Sequence, residues 1–124
     1  MQISTACNLQ CQNSRLSYQL EQSDKRLNTT YRQLVSVLSP SEKIELRKIQ
    51  RNWIVQRDII CDGEEARWCE DSGCTNGFQV VSAGNERLSC LTDITEKRIV
   101  ELKQAIKTKK VGVDPVLTFI PFGK

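Results

Sequence analysis

Four residues, Ser39-Pro40-Ser41-Glu42, constrain this chain more than any other stretch. Ser39 reads as a helix N-cap, Pro40 as the first helical residue, and Glu42 as the side chain that reaches back to the cap. Before this punctuation, Leu16, Leu20, Asp24, Leu27, Tyr31, Leu34 and Leu38 recur at steps of three and four, the period of one helix face. After it, Leu46, Ile49, Trp53 and Ile60 supply a second set of apolar contacts. The spacing predicts one helix over about 14–38 and another over about 40–60. A connection this short makes the two antiparallel neighbours.

Asp24 interrupts the apolar column of the first helix. A carboxylate there calls for a cation at the interface. Pairing about a turn near residue 39 sets Asp24 roughly opposite residues 54–57, so Arg57 is its expected partner, with Asn28 and Tyr31 in reach. Gln50, Trp53, Arg57 and Cys61 share one face of the second helix. That face is an amide, an indole, a guanidinium and a thiol in a column, where an ordinary core stripe would be aliphatic.

Residues 62–89 hold Gly63, Gly73, Gly77 and Gly84 and read as a long irregular loop, a length that calls for covalent restraint or a function. A third helix is expected from Thr92 or Asp93 to about Lys109, on Ile99, Leu102 and Ile106, with Arg98 at its flank. The last twelve residues are apolar, β-prone and bracketed by Pro115 and Pro121, so they should be extended, covering core or adding to a partner. The expectation is one all-α domain over 1–124: an arm over 1–13, a core over 14–110 and a tail over 111–124. Its core is an antiparallel helical hairpin plus a third, C-terminal helix, with a long disulfide-tied loop.

Six cysteines and no histidine stand in these 124 residues. An even count in a small domain points to three disulfides and an oxidising compartment, the periplasm or the cell exterior. Cys7 and Cys11 are three residues apart in the intervening chain and Cys69 and Cys74 four, which does not make paired zinc hooks, so no metal is expected. No stretch approaches a membrane span, and the start lacks a signal peptide. The cysteines then imply that a leader was removed and Met1 supplied in its place.

Without histidine, no Ser-His-Asp or Cys-His machinery can form, and no glycine loop cradles phosphate. Glu64, Glu65, Glu70 and Asp71 cluster, but on a glycine-bearing loop they read as solvated. The chain is expected not to be an enzyme and to need no cofactor. Charge is segregated along it. Residues 15–61 hold nine basic and five acidic side chains, 62–91 two and six, and 92–124 seven and four. No basic run is interleaved with aromatics, so nucleic acid is not expected.

Gln50-x-x-Trp53-x-x-x-Arg57-Asp58-x-x-Cys61 resembles the signature of the LprI-type lysozyme-inhibitor family of secreted and periplasmic bacterial proteins. Upstream, Asp24-x-x-Leu27-Asn28-x-x-Tyr31 is similar to a second family segment. Downstream, Cys90 followed by Thr95, Arg98 and Leu102 is similar to a third. The resemblance covers about residues 14–106 and implies a small, mainly helical, disulfide-linked fold. It matches Cys61 and Cys90 to family cysteines, which implies that these two pair. Cys7, Cys11, Cys69 and Cys74 depart from the family pattern, leaving local pairs or cross-links between arm and loop. Asp24, Asn28, Tyr31, Gln50, Trp53, Arg57, Asp58 and Arg98 are expected to form a structural polar network.

The resemblance also implies a non-enzymatic binding protein whose partner is lysozyme or a related envelope hydrolase. Asp62, Glu64, Glu65, Glu70 and Asp71 are then the candidate contacts, since they offer a negative patch to a basic enzyme. Alternatives are an immunity or accessory protein for another envelope or secretion-system enzyme, and a structural envelope protein without a ligand site.

Overall fold

A computed structural model describes residues 7–108 as three long helices: α1 (Leu9–Val35), α2 (Pro40–Ser72) and α3 (Gly77–Thr108). The all-α expectation holds. The capping box opens α2 as its residues dictate: Ser39 Oγ accepts from the Glu42 N–H, and Glu42 Oε1 accepts from the Ser39 N–H at 2.8 Å. α1 starts earlier than the apolar column implied, because Asn8 caps it and its Oδ1 accepts from the Cys11 N–H at 3.0 Å.

The expected loop over 62–89 is not there. α2 continues to Ser72, and only residues 73–76 separate it from α3. Glu64, Glu65, Ala66 and Arg67 are good helix formers, and they carry the helix past Gly63 at a cost of about 1 kcal/mol for that glycine. Gly73 ends α2 in the left-handed region, at φ 70°, which glycine adopts without strain. Asn76 then starts α3: its Oδ1 accepts from the Gln79 N–H at 2.9 Å, while Gln79 Oε1 accepts from the Thr75 N–H at 2.8 Å. Thr92, the expected cap of the third helix, lies inside α3 and bonds back to the Leu88 carbonyl at 3.0 Å.

α3 is the central helix. It packs along both α1 and α2, whereas α1 and α2 touch each other only sparsely, so the expected neighbours are bridged by a third helix. Contacts between α1 and α3 keep a constant sequence separation, 72 at Asn13–Asn85 and 73 at Ser23–Glu96, so these two run parallel. Between α2 and α3 the separation shrinks from 48 at Gln50–Arg98 to 25 at Asp62–Arg87, so they run antiparallel. Leu27 and Leu34 from α1, Leu46 and Trp53 from α2, and Leu91, Ile94, Ile99 and Leu102 from α3 fill the core.

Three disulfides join Cys61 to Cys90, Cys7 to Cys11, and Cys69 to Cys74. The outer two are local; no bond crosses from arm to α2. Cys61–Cys90 ties α2 to α3 with Cys61 fully buried. The expected extended tail over 111–124 and residues 1–6 of the arm lie outside the described residues.

Loop-closure entropy ranks the three bonds. Cys61→Ser with Cys90→Ser should lower unfolding free energy by about 3–4 kcal/mol, and Cys69→Ser with Cys74→Ser by about 2 kcal/mol. Urea titration of both double variants against the parent checks the order.

Candidate functional site

Where the three helices meet, Trp53 is 1% exposed. Two guanidinium carbons lie over its ring, Arg57 at 5.3 Å and Arg98 at 5.6 Å from the centroid. Each cation is drawn to the ring's negative face, more strongly where water is excluded. The other groups around the indole serve these two arginines.

Arg57 Nη1 donates to Asp24 Oδ1 at 3.4 Å and to Thr95 Oγ1 at 3.1 Å, and its Nε donates to Asp58 Oδ1 at 3.2 Å. One side chain of α2 thereby touches α1, α2 and α3. The predicted reach from Arg57 to Asp24 exists, but not as a buried pair: the Arg57 side chain is 15% exposed and that of Asp24 46%. The buried cation is Arg98, at 0%. Its Nε donates to Gln50 Oε1 at 3.1 Å and its Nη1 to Glu101 Oε1 at 2.9 Å. Burial pushes the Arg98 guanidinium below its ordinary pKa, and the hydrogen bond to Glu101 opposes that shift.

The structure therefore brings Asp24, Gln50, Trp53, Arg57, Asp58 and Arg98 together. Tyr31 is half-buried against the core nearby. Asn28 is a correction: it faces solvent, because the face of α1 turned to α3 carries Leu27 and Thr30 instead. Thr95 and Glu101 were missed as members. Both stand three residues from Arg98 on α3, a spacing that places them beside it on the helix. A second missed link joins α1 to α3: Glu96 accepts from the Ser23 hydroxyl and from Arg26. The Ser23 hydroxyl first, then Arg26, holds the Glu96 carboxyl below the usual carboxylate range.

Among the described residues no histidine, cysteine or carboxylate cluster could hold a metal, and no helix is long and apolar enough to cross a membrane. What reaches solvent is charge, sorted to two ends. Apart from the buried Arg98, residues 32–51 with 97–108 carry eight basic and three acidic side chains. The opposite end, from 58–72 and 77–93 with the start of α1, carries three basic and eight acidic.

The candidate contacts lie on this acidic end, on helix rather than loop. Asp62 and Glu65 both reach Arg87, at 2.7 and 3.9 Å, and Glu64 pairs with Arg67. The hydrogen bond to Asp62 raises the Arg87 pKa. Glu70 and Asp71 are exposed and make no ion pair with any described residue. Beside Cys61–Cys90, Ile60, Glu64, Glu86, Asp93 and Ile94 line a groove of about 320 Å³ between α2 and α3.

Residues 4–102 match the family described as lysozyme inhibitor LprI. The chain belongs to the LprI family. No curated protein and no solved structure matches it. Membership brings a protein-binding role of the lysozyme-inhibitor kind, and the family's members are inhibitors rather than enzymes. The three segments that carried the resemblance lie within the matched residues, and they supply Trp53, the two arginines over its ring, and Asp24, Gln50, Asp58 and Thr95 bonded to those arginines.

Two outcomes follow for this LprI-family chain. Glu101→Ala leaves Arg98 charged and fully buried without its carboxylate, and should cost roughly 3 kcal/mol. Asp24→Ala removes a half-exposed partner and should cost about 1 kcal/mol. Denaturant melts of the two variants check the ranking. Glu96, with its folded pKa lowered, contributes stability that is present above the ordinary carboxylate range and lost as pH falls through its lowered value. Melting temperature followed from neutral to acid pH should therefore fall less steeply in Glu96→Gln than in the parent.

Proposed function

We propose that this chain binds a lysozyme outside the cytoplasm with its acidic end and blocks access of cell-wall substrate to the enzyme. The supporting observation is the sorting of eight acidic against three basic side chains to the end built from α2, α3 and the start of α1. Many lysozymes are basic, and opposite charge steers association and fixes orientation. The catalytic carboxylates of a lysozyme would repel such an end. The contact is therefore with the cationic rim of the sugar-binding cleft, and occlusion is steric.

Within that end, Glu70 and Asp71 offer their carboxylates without an internal competitor. Asp62, Glu64 and Glu65 share theirs with Arg67 and Arg87 and add to the field. The groove lined by Glu64, Glu86 and Asp93 suits an inserted lysine or arginine of the enzyme, since its walls combine carboxylates with the aliphatic Ile60 and Ile94. Three disulfides suit an oxidising compartment, the periplasm or the cell exterior.

Turbidity of a cell-wall suspension with lysozyme and added protein tests the reading. The parent chain should slow lysis. Glu70→Lys with Asp71→Lys should weaken inhibition by about tenfold or more, equivalent to about 1.4 kcal/mol, with melting no lower than the parent's. Lysis that proceeds at full rate under micromolar excess of the parent counts against lysozyme as the partner. Recovery of a different envelope enzyme in a pull-down would then favour the accessory or immunity role.

A further inference from the structure

The solvent face of α2, directly opposite Trp53, has a palindromic pattern. Ile44, Lys48, Arg51, Val55, Ile59, Asp62 and Ala66 follow one another at steps of 4, 3, 4, 4, 3 and 4. All seven are exposed, with Ile44 at 52%, Val55 at 53% and Ile59 at 58%. They form one stripe about 33 Å long. The stripe is basic on one side of Val55 and acidic on the other.

We propose that this stripe is the contact of a two-fold symmetric dimer, in which α2 of one copy lies antiparallel against α2 of a second copy with Val55 at the axis. A two-fold interface is self-complementary: whatever stands a given number of residues before the axis meets what stands the same number after it. Lys48 and Asp62 are each seven residues from Val55, so each Lys48 faces the partner's Asp62. Arg51 and Ile59 are each four residues away, so the arginine stem covers the partner's aliphatic side chain. Ile44 meets the partner's Ala66, a large residue against a small one. The two Val55 side chains close the centre.

The charges on this face are available. Lys48 and Arg51 make no ion pair with any described residue. Asp62 accepts from Arg87 at 2.7 Å yet keeps 63% of its side chain exposed. A second copy uses the whole stripe, whereas a purely anionic partner would match Lys48 and Arg51 and be repelled at Asp62. The acidic ends of the two copies point away from each other; Asp71 lies off the stripe and stays open, while Glu70, four residues past Ala66, stands opposite the start of α2 in the second copy.

Sedimentation equilibrium of the full chain, up to roughly 100 µM, tests the proposal. The parent is expected to form a reversible dimer that weakens as salt rises. Lys48→Asp places acid against acid twice across the axis, and Asp62→Lys places base against base twice. Each variant alone is expected to sediment as a monomer. Mixed together, the two restore both opposite-charge pairs, so a heterodimer should return to within roughly threefold of the parent affinity. Recovery on mixing cannot come from misfolded chains. A parent that stays monomeric, a dimer indifferent to both substitutions, or a mixture that stays monomeric overturns the proposal. So does a monomeric parent that instead co-sediments with phosphatidylglycerol vesicles, which would assign the face to a membrane surface. None of these readouts involves lysozyme, so this inference and the inhibitory role fail separately.

Discussion

The contact between Trp53 and its two arginines decides how the three helices sit together. Trp53 belongs to α2, Arg98 to α3, and Arg57 reaches from α2 to both other helices. An aliphatic core could be repacked by a one-turn slide of α2 along α3 at modest cost. A fully buried guanidinium does not tolerate such a slide, because Arg98 of α3 would lose the Gln50 amide and the Trp53 ring of α2 and keep only Glu101 of its own helix. The polar centre thus specifies register, while the leucines around it supply most of the attraction.

That division explains what the sequence displayed and what it hid. The capping box was legible because all its information lies within four residues. Asp24 was legible as a misfit in a column of leucines, and the short turn at residue 39 fixed which residues lay opposite. Arg98 was expected in the polar network beside the family resemblance, whereas its spacing alone put it at the flank of its helix, because a cation four residues before the core residue Leu102 looks like a border residue until its partners on α2 are known. The number of helices came through, but not their layering: nothing local shows that α3 runs between α1 and α2.

The missing loop has a different cause. Gly63, Gly73, Gly77 and Gly84 all read as breakers, yet only Gly73 has the positive φ that demands glycine. Gly63, Gly77 and Gly84 are helical positions where nothing crowds a side chain, tolerated because their neighbours favour helix. The true stop was marked by a pattern seen at residue 39 and overlooked at 76: Asn76 with Gln79 three residues later, just past a glycine. Four acids that looked solvated on a floppy segment became fixed points on a rigid rod.

Fixing those acids raises the question of what keeps them at one end. α1 and α3 run parallel and α2 opposes them, so one helix dipole is left over, its positive pole at the acidic end and its negative pole at the basic end. That residual field favours the observed polarity for charges near helix termini, by about 0.3–1 kcal/mol each, and accounts for Arg32 and Lys107 in the last turns of α1 and α3. It does not account for Lys48, Arg51 or Asp62, which lie several turns from any terminus, where the dipole has faded. Nor does the dipole of their own helix favour Glu70 and Asp71, which occupy the last turn of α2, its negative pole, with no basic residue there to offset them. Helix stability argues against acids at those two positions. Their presence there fits a role in which the carboxylates meet a partner's cations.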